Sequence, residues 1–398
     1  MNLKNKTVIL GVTGSIAAYK MANVASALAK QGCDVHVIMT PNATEIIAPM
    51  TFSTLTGHNC IVDTFDKTIN YNVAHVSLAK RADLLMIAPA TANVIAKLAH
   101  GLADDMLTTT ALACTCKKIV SPAMNTNMFH NPIVQDNIET LKRYGFEIVE
   151  PDSGVLACKD IGDGKLPKEE VLIDHILKEI AYEKDLAGKK VLITAGPTCE
   201  AIDPVRYITN HSSGKMGYAL AKDCMLRGAE VTLVTGPTAL PKVPFVNEVP
   251  IFSAQDMFDA VTERAAEQDI IIKAAAVADY TPESYSDDKV KKKDGAMAIG
   301  LKRTQDILAW LGEHRRPDQF LCGFSMETRD LVENSNDKLK RKNADMIVAN
   351  NLKVEGAGFK GDTNVATVIT QDRVLELPKQ SKDELAHTLI DLILEKMS

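Results

Sequence analysis

Lys6–Ser15 reads KTVILGVTGS, and Lys189–Thr198 reads KKVLITAGPT. Both pass from lysine through a short apolar run to a glycine turn, so the chain opens an α/β unit twice. Around the first opening, Thr7–Val12 reads as a buried strand and Ser15–Lys30 as an amphipathic helix, with Ser15 as cap and Gly32 as stop. Asp34–Met39 follows as a second strand, Asp83–Ala88 as a third, and Lys118–Ser121 opens a fourth. Strands alternating with helices imply a parallel sheet covered on both faces. After the charged stretch 178–190 the pattern restarts. Val191–Ala195 is a strand, Met216–Arg227 a helix stopped by Gly228, and Glu230–Val234 a strand. ALAKQGCDVHVIMTP and CMLRGAEVTLVTGP share a cadence, but the similarity fades beyond that first βαβ unit. This favours two domains of one common fold class over an internal duplication. The expected fold is α/β with two Rossmann-like domains, residues 1–185 and 186–398.

A length of 398 residues suits two domains, and 46% hydrophobic with 24% charged residues is ordinary globular composition. The net charge of −6 lacks the basic footprint of a nucleic-acid binder. No apolar stretch approaches the ~20 residues that span a bilayer, and Val8–Val12 is too short for a signal peptide. The eight cysteines form no CxxC pair or zinc spacing, the closest two being Cys114 and Cys116. That pattern suits reduced thiols in a cytoplasm. The expectation is a soluble cytoplasmic protein with neither nucleic acid nor membrane as partner.

A dinucleotide fold needs GxGxxG and an acid at the end of its second strand. The first opening has GVTGS and then Met39–Thr40–Pro41; the second has AGPT and then Thr235–Gly236. Nicotinamide cofactors are disfavoured in both. A mononucleotide suits the first turn better, although a glycine turn also serves as a tight connection. Ile87–Val94 reads IAPATANV, whose small side chains at a strand end let a flat ring approach the backbone. Ser121–Phe129 reads SPAMNTNMF, where the Asn125 amide could orient a carboxylate or simply occupy a turn among core methionines. His75 sits early in a short helix in NVAHVSLAKRAD, either as a cap or with a role in chemistry. Cys158, in SGVLACKDIGDGKLP, falls in a glycine-rich stretch with the character of an exposed flap, and such loops often carry chemistry.

In the second half, Thr194–Gly217 reads TAGPTCEAIDPVRYITNHSSGKMG, far longer than the ~2–6 residues of a plain βα connection. Its Arg206, Asn210, Ser212, Ser213 and Lys215 suit a phosphorylated substrate and developing charge. The next strand, Asp269–Ala276, ends in alanines that permit close backbone approach, and Asp279 suits a ribose or metal. Lys289–Lys293, KVKKK, is either a solvated loop or a clamp on a triphosphate. Phe324 is placed to stack on a base, and Lys338 and Lys342 share a helix face.

Together these motifs resemble the bifunctional phosphopantothenoylcysteine decarboxylase/phosphopantothenate–cysteine ligases of coenzyme A biosynthesis, over essentially all 398 residues. The first half is similar to flavin-dependent cysteine decarboxylases at Gly11–Ser15 (GxTGS), His75, Pro89–Val94 and Pro122–Met128 (PxMNxxM). It departs at Phe129, where tryptophan is usual, at Lys159, where glycine is common, and at Thr91 in place of serine. The resemblance implies a flavodoxin-like domain that binds FMN with Gly14, Ser15, Thr40, Ala90, Thr91 and Asn93. It implies Cys158 as proton donor, His75 as an aid to oxidation of the substrate's thiol end, and Asn125 as the grip on its carboxylate. Oxidation to a thioaldehyde places the carboxylate β to an electron sink, and carbon dioxide leaves. The hydride then returns, with no net redox change, in keeping with the missing nicotinamide fingerprint.

For the second half the resemblance implies activation of 4′-phosphopantothenate by CTP as an acyl-cytidylate, followed by displacement of CMP by cysteine. Asn210 is implied in the second step and Lys289 in the first. Lys273, Ala274, Ala275, Asp279, Lys289, Gln305, Asp306, Ile307, Leu308, Phe324, Lys338 and Lys342 match the nucleotide-binding positions. Arg206 and Asn210 match the acid substrate. Mg2+ is implied with CTP, without identified ligands, as are homo-oligomers of decarboxylase trimers and ligase dimers up to a dodecamer. The rival readings are a regulatory flavoprotein that acts by binding partners and another decarboxylase or transferase of the same flavin fold. The joint presence of His75, Asn125 and Cys158, followed by a full ligase signature, weighs against the regulator.

Overall fold

Thr7–Val12 is buried at all six positions, as a strand sandwiched between helical layers must be. The computed structural model describes residues 3–65, 74–157, 159–291, 298–327, 331–351 and 361–397. By internal contacts the chain divides into Met1–Glu183 and Lys184–Ser398. In the first unit β1 (Thr7–Val12), β2 (Asp34–Met39), β3 (Leu84–Ala90), β4 (Lys117–Pro122) and β5 (Glu147–Ile148) form one parallel sheet. Its order is β2-β1-β3-β4-β5, the flavodoxin-like arrangement. The strand order reverses between β1 and β3, so their carboxyl ends, Gly11–Ser15 and Ala90–Asn93, flank the switch point where ligands bind.

The helices are α1 (Met21–Lys30), α2 (Pro41–Thr44), α3 (Pro49–Thr56), α4 (Ala74–Arg81), α5 (Ala92–His100), α6 (Met106–Ala113), α7 (Thr126–Phe129), α8 (Pro132–Arg143) and α9 (Glu169–Ile180). One face of the sheet packs Ile9, Leu85, Ile87 and Val120 against Ile95, Leu107, Ile138 and Leu141. The expected helix Ser15–Lys30 is instead a 3₁₀ turn, Ile16–Lys20, running into α1, and the Ser15 side chain makes no capping bond. The expected loop around Cys158 belongs to an antiparallel hairpin of β6 (Asp152–Val155) and β7 (Ile161–Lys165).

The second unit contains β8 (Lys190–Ala195), β9 (Cys199–Ala201), β10 (Tyr207–Thr209), β11 (Glu230–Thr235), β12 (Asn247–Pro250), β13 (Ile270–Lys273), β14 (Tyr280–Pro282) and β15 (Leu301–Arg303). It continues with β16 (Phe320–Glu327), β17 (Met346–Asn351), β18 (Thr363–Asn364), β19 (Ala366–Thr370), β20 (Val374–Glu376) and β21 (Gln380–Ser381). The main sheet runs β12-β11-β8-β13-β16-β17-β19-β20. It is parallel through β17, and antiparallel β19 and β20 close its edge. Its six parallel strands have the dinucleotide-fold order, reversing between β8 and β13. Its helices are α10 (Lys215–Leu226), α11 (Ala254–Ala265), α12 (Ile307–His314), α13 (Leu331–Arg341) and α14 (Lys382–Met397).

The division by contacts falls after Glu183, and the next two side chains pack with the second unit. Lys184 Nζ donates to the Leu226 carbonyl at 2.6 Å, and Asp185 accepts from Arg227 Nε at 2.9 Å. Both residues are thereby tied to the end of α10. Among the described residues no helix is long and apolar enough to cross a membrane.

Candidate functional site

At the carboxyl edge of the first sheet, Thr13 ties the two switch-point loops together. Its buried hydroxyl donates to the Pro89 carbonyl at 2.6 Å and accepts from the Thr91 amide at 3.0 Å. Gly14 must be small, because a Cβ there would lie 2.6 Å from that of Asn42. Thr40 opens α2 but, like Ser15, makes no capping bond. Its buried Oγ1 has no partner among the described residues, nor has Ser121 Oγ at the end of β4. Two orphaned buried hydroxyls on one sheet edge cost stability unless a ligand meets them, and this edge also carries the small Ala90. The donor set therefore fits a flat polar group with a phosphate. Thr91 caps α5 through Val94 N at 3.5 Å, and Asn93 is exposed in its first turn.

A cleft of about 380 Å³ brings Ser15 and Asn125 together with Val155, Leu156 and Ala157 of the hairpin. Cys158 itself lies outside the described residues. The hairpin is fastened to the SPAMNTNMF loop by its glycines. Met124 N donates to the Gly164 carbonyl at 3.0 Å, and Thr126 Oγ1 to the Asp163 carbonyl at 2.5 Å. A Cβ at Gly162 would collide with Thr126 Oγ1, and one at Gly164 with the Met124 carbonyl, where φ is also +120°. Asn125 Oδ1 caps α7 through Asn127 N at 2.8 Å, and its Nδ2 donates to Asp160 Oδ2 at 2.9 Å. The amide expected to grip a carboxylate thus holds one already, from the hairpin. Gly164→Ala should lift the hairpin from this loop. The expected result is a fall in decarboxylation of about 10²-fold or more with ligation unchanged, read by assaying the two activities separately.

His75 occupies the first turn of α4, half-buried. Because α4 leads straight into β3, that turn faces the carboxyl edge of the sheet, but His75 does not line the Asn125 cleft. Asp34, His36 and His58 form the described cluster with metal-ligand geometry, at the start of β2 and so on the opposite edge. Arg81 Nη2 lies 2.8 Å from Asp34 Oδ2 and 3.0 Å from His36 Nε2. A guanidinium already supplies the cation there.

In the second unit two clefts meet. The first, about 340 Å³, is lined by Lys273, Asp279, Gln305, Asp306, Ile307, Leu308, Lys338 and Lys342, all expected nucleotide residues. Ile307 and Leu308 bury their side chains, so they offer the backbone N–H groups that open α12. Asp306 caps that helix through Ala309 N at 3.0 Å and holds Lys342 Nζ at 2.6 Å. The second cleft, about 460 Å³, contains Asn210, Ser212, Ser213, Lys215, Ala274, Ala275 and Phe324, and shares Lys273, Asp279 and Lys338 with the first. Burial and the neighbouring Lys338 push the Lys273 ammonium down to about 8. Asn210 Nδ2 donates to the Ala276 carbonyl at 3.0 Å, which fixes the amide at the end of β13.

Arg206 and Lys289 line neither cleft. Arg206 is clasped to Asp203 by its Nε at 2.9 Å and Nη2 at 2.6 Å, and its Nη2 also donates to the Val290 carbonyl at 2.6 Å. Burial opposes the charge of Asp203, but this guanidinium and the amides of Val205, Val290 and Arg206 outweigh it and hold the carboxyl well below its usual range. Arg206 therefore fastens the loop that carries Lys289, which is exposed. Lys292 and Lys293 lie outside the described residues. The sequence reading missed Thr13, Asp160 and Asp203. The first stood inside the quoted glycine turn, and the last lies three residues before Arg206.

Residues 186–397 match the family model described as the DNA/pantothenate metabolism flavoprotein C-terminal domain, and residues 1–181 match the flavoprotein model. The coenzyme A biosynthesis bifunctional protein CoaBC of Bacillus subtilis (strain 168) is 46% identical to this chain, over 98% of this chain and 97% of its own length. The chain belongs to the CoaBC family. A cysteine/cysteine sulfinic acid decarboxylase from an unknown prokaryotic organism is 44% identical over 88% of this chain and 99% of its own. The crystal structure of a CoaBC C-terminal domain is 45% identical, covering 53% of this chain and 97% of that one, with a TM-score of 0.46.

Proposed function

We propose that this chain performs two consecutive steps of coenzyme A biosynthesis. The second unit joins cysteine to 4′-phosphopantothenate with CTP, through an acyl-cytidylate, releasing pyrophosphate and then CMP. The first unit decarboxylates the product to 4′-phosphopantetheine. The observation that carries the ligase is the abutting pair of clefts sharing Lys273, Asp279 and Lys338. Carboxylate activation requires the acid and the nucleotide's α-phosphate side by side among cations. Asn210 stands on the acid's side, and the Asp203–Arg206 clasp positions the Lys289 loop. Mg2+ arrives with CTP as part of the substrate.

In the first unit Gly14, Ser15, Thr40, Ala90, Thr91 and Asn93 hold FMN, and the uncapped hydroxyls of Ser15 and Thr40 favour this. FMN supplies reversible hydride storage. Asn125 orients the substrate carboxylate in place of the Asp160 carboxylate, His75 assists at the thiol end, and Cys158 returns the proton. The chain works in the cytoplasm as a homo-oligomer of decarboxylase trimers and ligase dimers. Exposed Leu102, Leu112 and Tyr144 along one groove are the kind of surface that assembly covers. The mass of the intact assembly checks this.

The purified protein tests the whole reading. Carbon dioxide should appear from 4′-phosphopantothenate only when CTP and cysteine are both supplied. Release from free cysteine alone would favour the other decarboxylase reading. A chain cut after Glu183 should yield a yellow decarboxylase fragment and a colourless ligase fragment. A soluble N-terminal fragment that does not take up FMN would sink that division of labour.

A further inference from the structure

The cleft around Asn210 is one-sided in charge. Lys215, Lys273, Lys338 and Lys382 line it, against Asp279 as the acid. Lys273, Lys338 and Asp279 belong also to the nucleotide cleft, whereas Lys215 and Lys382 do not. These two lysines therefore mark the part of the cleft away from the nucleotide. They come from distant parts of the sequence, the first residue of α10 and the first residue of α14.

Lys382 is only 7% exposed, although lysine is among the residues least often buried. Its backbone N–H donates to the Asp362 carbonyl at 2.9 Å, and Lys215 Nζ meets Asp362 Oδ1 at 2.6 Å. Both side chains line the same cleft, and Asp362, which is largely exposed, sits at its Lys215 end. Burial, and then the charge of Lys215, push the Lys382 ammonium below its ordinary value, with Asp362 opposing. Two lysines converging on one cleft favour an anionic group there. The same wall carries the buried amides of Asn350 and Asn364, 3.2 Å apart. A doubly charged, oxygen-rich group answers to this wall, and a phosphate monoester is such a group.

We propose that Lys382 and Lys215 bind the phosphate of the acid substrate, so that the C-terminal helix forms part of the ligase site. This rests on the ligase reading above. The acid's carboxylate then lies toward Asn210 and the nucleotide, and its phosphate toward α14. Lys382 becomes the residue that separates 4′-phosphopantothenate from pantothenate.

The test uses the full chain with Lys382→Met, which keeps the apolar stem, and Lys382→Arg, which keeps the charge. Pyrophosphate release is followed with varied 4′-phosphopantothenate, pantothenate and CTP. Lys382→Met should lower kcat/KM for the phosphorylated acid about 10- to 100-fold. It should leave the KM for CTP and the activity toward pantothenate unchanged, and Lys382→Arg should recover part of the loss. An equal fall with both acids would make Lys382 merely structural. A raised KM for CTP alone would assign it to the nucleotide's triphosphate. Either result overturns the proposal. Calorimetric binding of the two acids reads the same contact without turnover. The wild-type chain should prefer the phosphorylated acid and Lys382→Met should lose that preference; no preference in the wild type, or a preference kept in the variant, overturns the assignment. Binding as expected without pyrophosphate release would instead count against the ligase reading.

Discussion

Cys158→Ser should turn the decarboxylase into an enzyme that works once. Serine nearly matches cysteine in volume, and the hairpin strands on either side of position 158 are fixed by other groups. Val155 pairs with Ile161, Leu156 N donates to the Asp160 carbonyl at 2.8 Å, and Gly164 is bonded to Met124. The substitution therefore leaves the fold alone and, on the proposed role of Cys158, removes the acid. A thiol of pKa about 8.5 can give up a proton at neutral pH, and a hydroxyl is far weaker. Loss of carbon dioxide precedes that proton transfer, so it still happens once per site. The expected result is one equivalent of carbon dioxide, flavin absorbance that bleaches without recovery, and no 4′-phosphopantetheine. Multiple turnover should fall by about 10²- to 10⁴-fold, the usual weight of a general acid. His75→Asn should stop earlier, with no bleaching. Steady turnover by Cys158→Ser would remove the proton-donor role while leaving the decarboxylase assignment standing.

How much of this is legible in the sequence depends on the range of the contacts involved. Strands β1 and β2 fall at their expected bounds because apolar runs between glycine turns are local signals. The openings at Gly11–Ser15 and Ala195–Thr198 both lie at the switch points of their sheets. Contacts between segments are less visible. Ser15 has the composition of a helix cap, yet the chain enters α1 through a 3₁₀ turn and the hydroxyl makes no capping bond. The glycines around Cys158 suggest a loose loop. Two of them, Gly162 and Gly164, are there because the PxMNxxM segment packs against a strand with no room for a side chain. Arg206 carries the charge expected of a substrate ligand, and Asp203, three residues earlier, holds it in place. Lys382 gives no signal at all. It stands at the head of an ordinary C-terminal helix, and only the packing of α14 on α10 brings it to Lys215.

Asn210→Asp should separate the two half-reactions of the ligase. The Asn210 amide donates through Nδ2 to the carbonyls of Ala276 at 3.0 Å and Val277 at 3.4 Å, just beyond β13. An aspartate of the same shape has no donor to offer and sets a negative charge against two carbonyl oxygens. Its position at the end of β13 is then lost, and any oxyanion formed as cysteine attacks the acyl-cytidylate meets repulsion instead of a donor. In the proposed assignment the first half-reaction uses the neighbouring cleft, where Lys273, Lys338 and Lys342 remain in place. Pyrophosphate release should therefore persist within about tenfold, whereas amide formation should fall about 10²- to 10³-fold, as when one oxyanion donor is removed. The acyl-cytidylate should build up and be detectable by mass spectrometry of quenched reactions. Lys289→Gln should do the reverse and suppress pyrophosphate release itself, if the proposed first-step role of its loop, tied down by Arg206 and Asp203, holds. Equal loss of both half-reactions in Asn210→Asp, with no intermediate, would mean that Asn210 supports the architecture of the cleft and not the attack of cysteine.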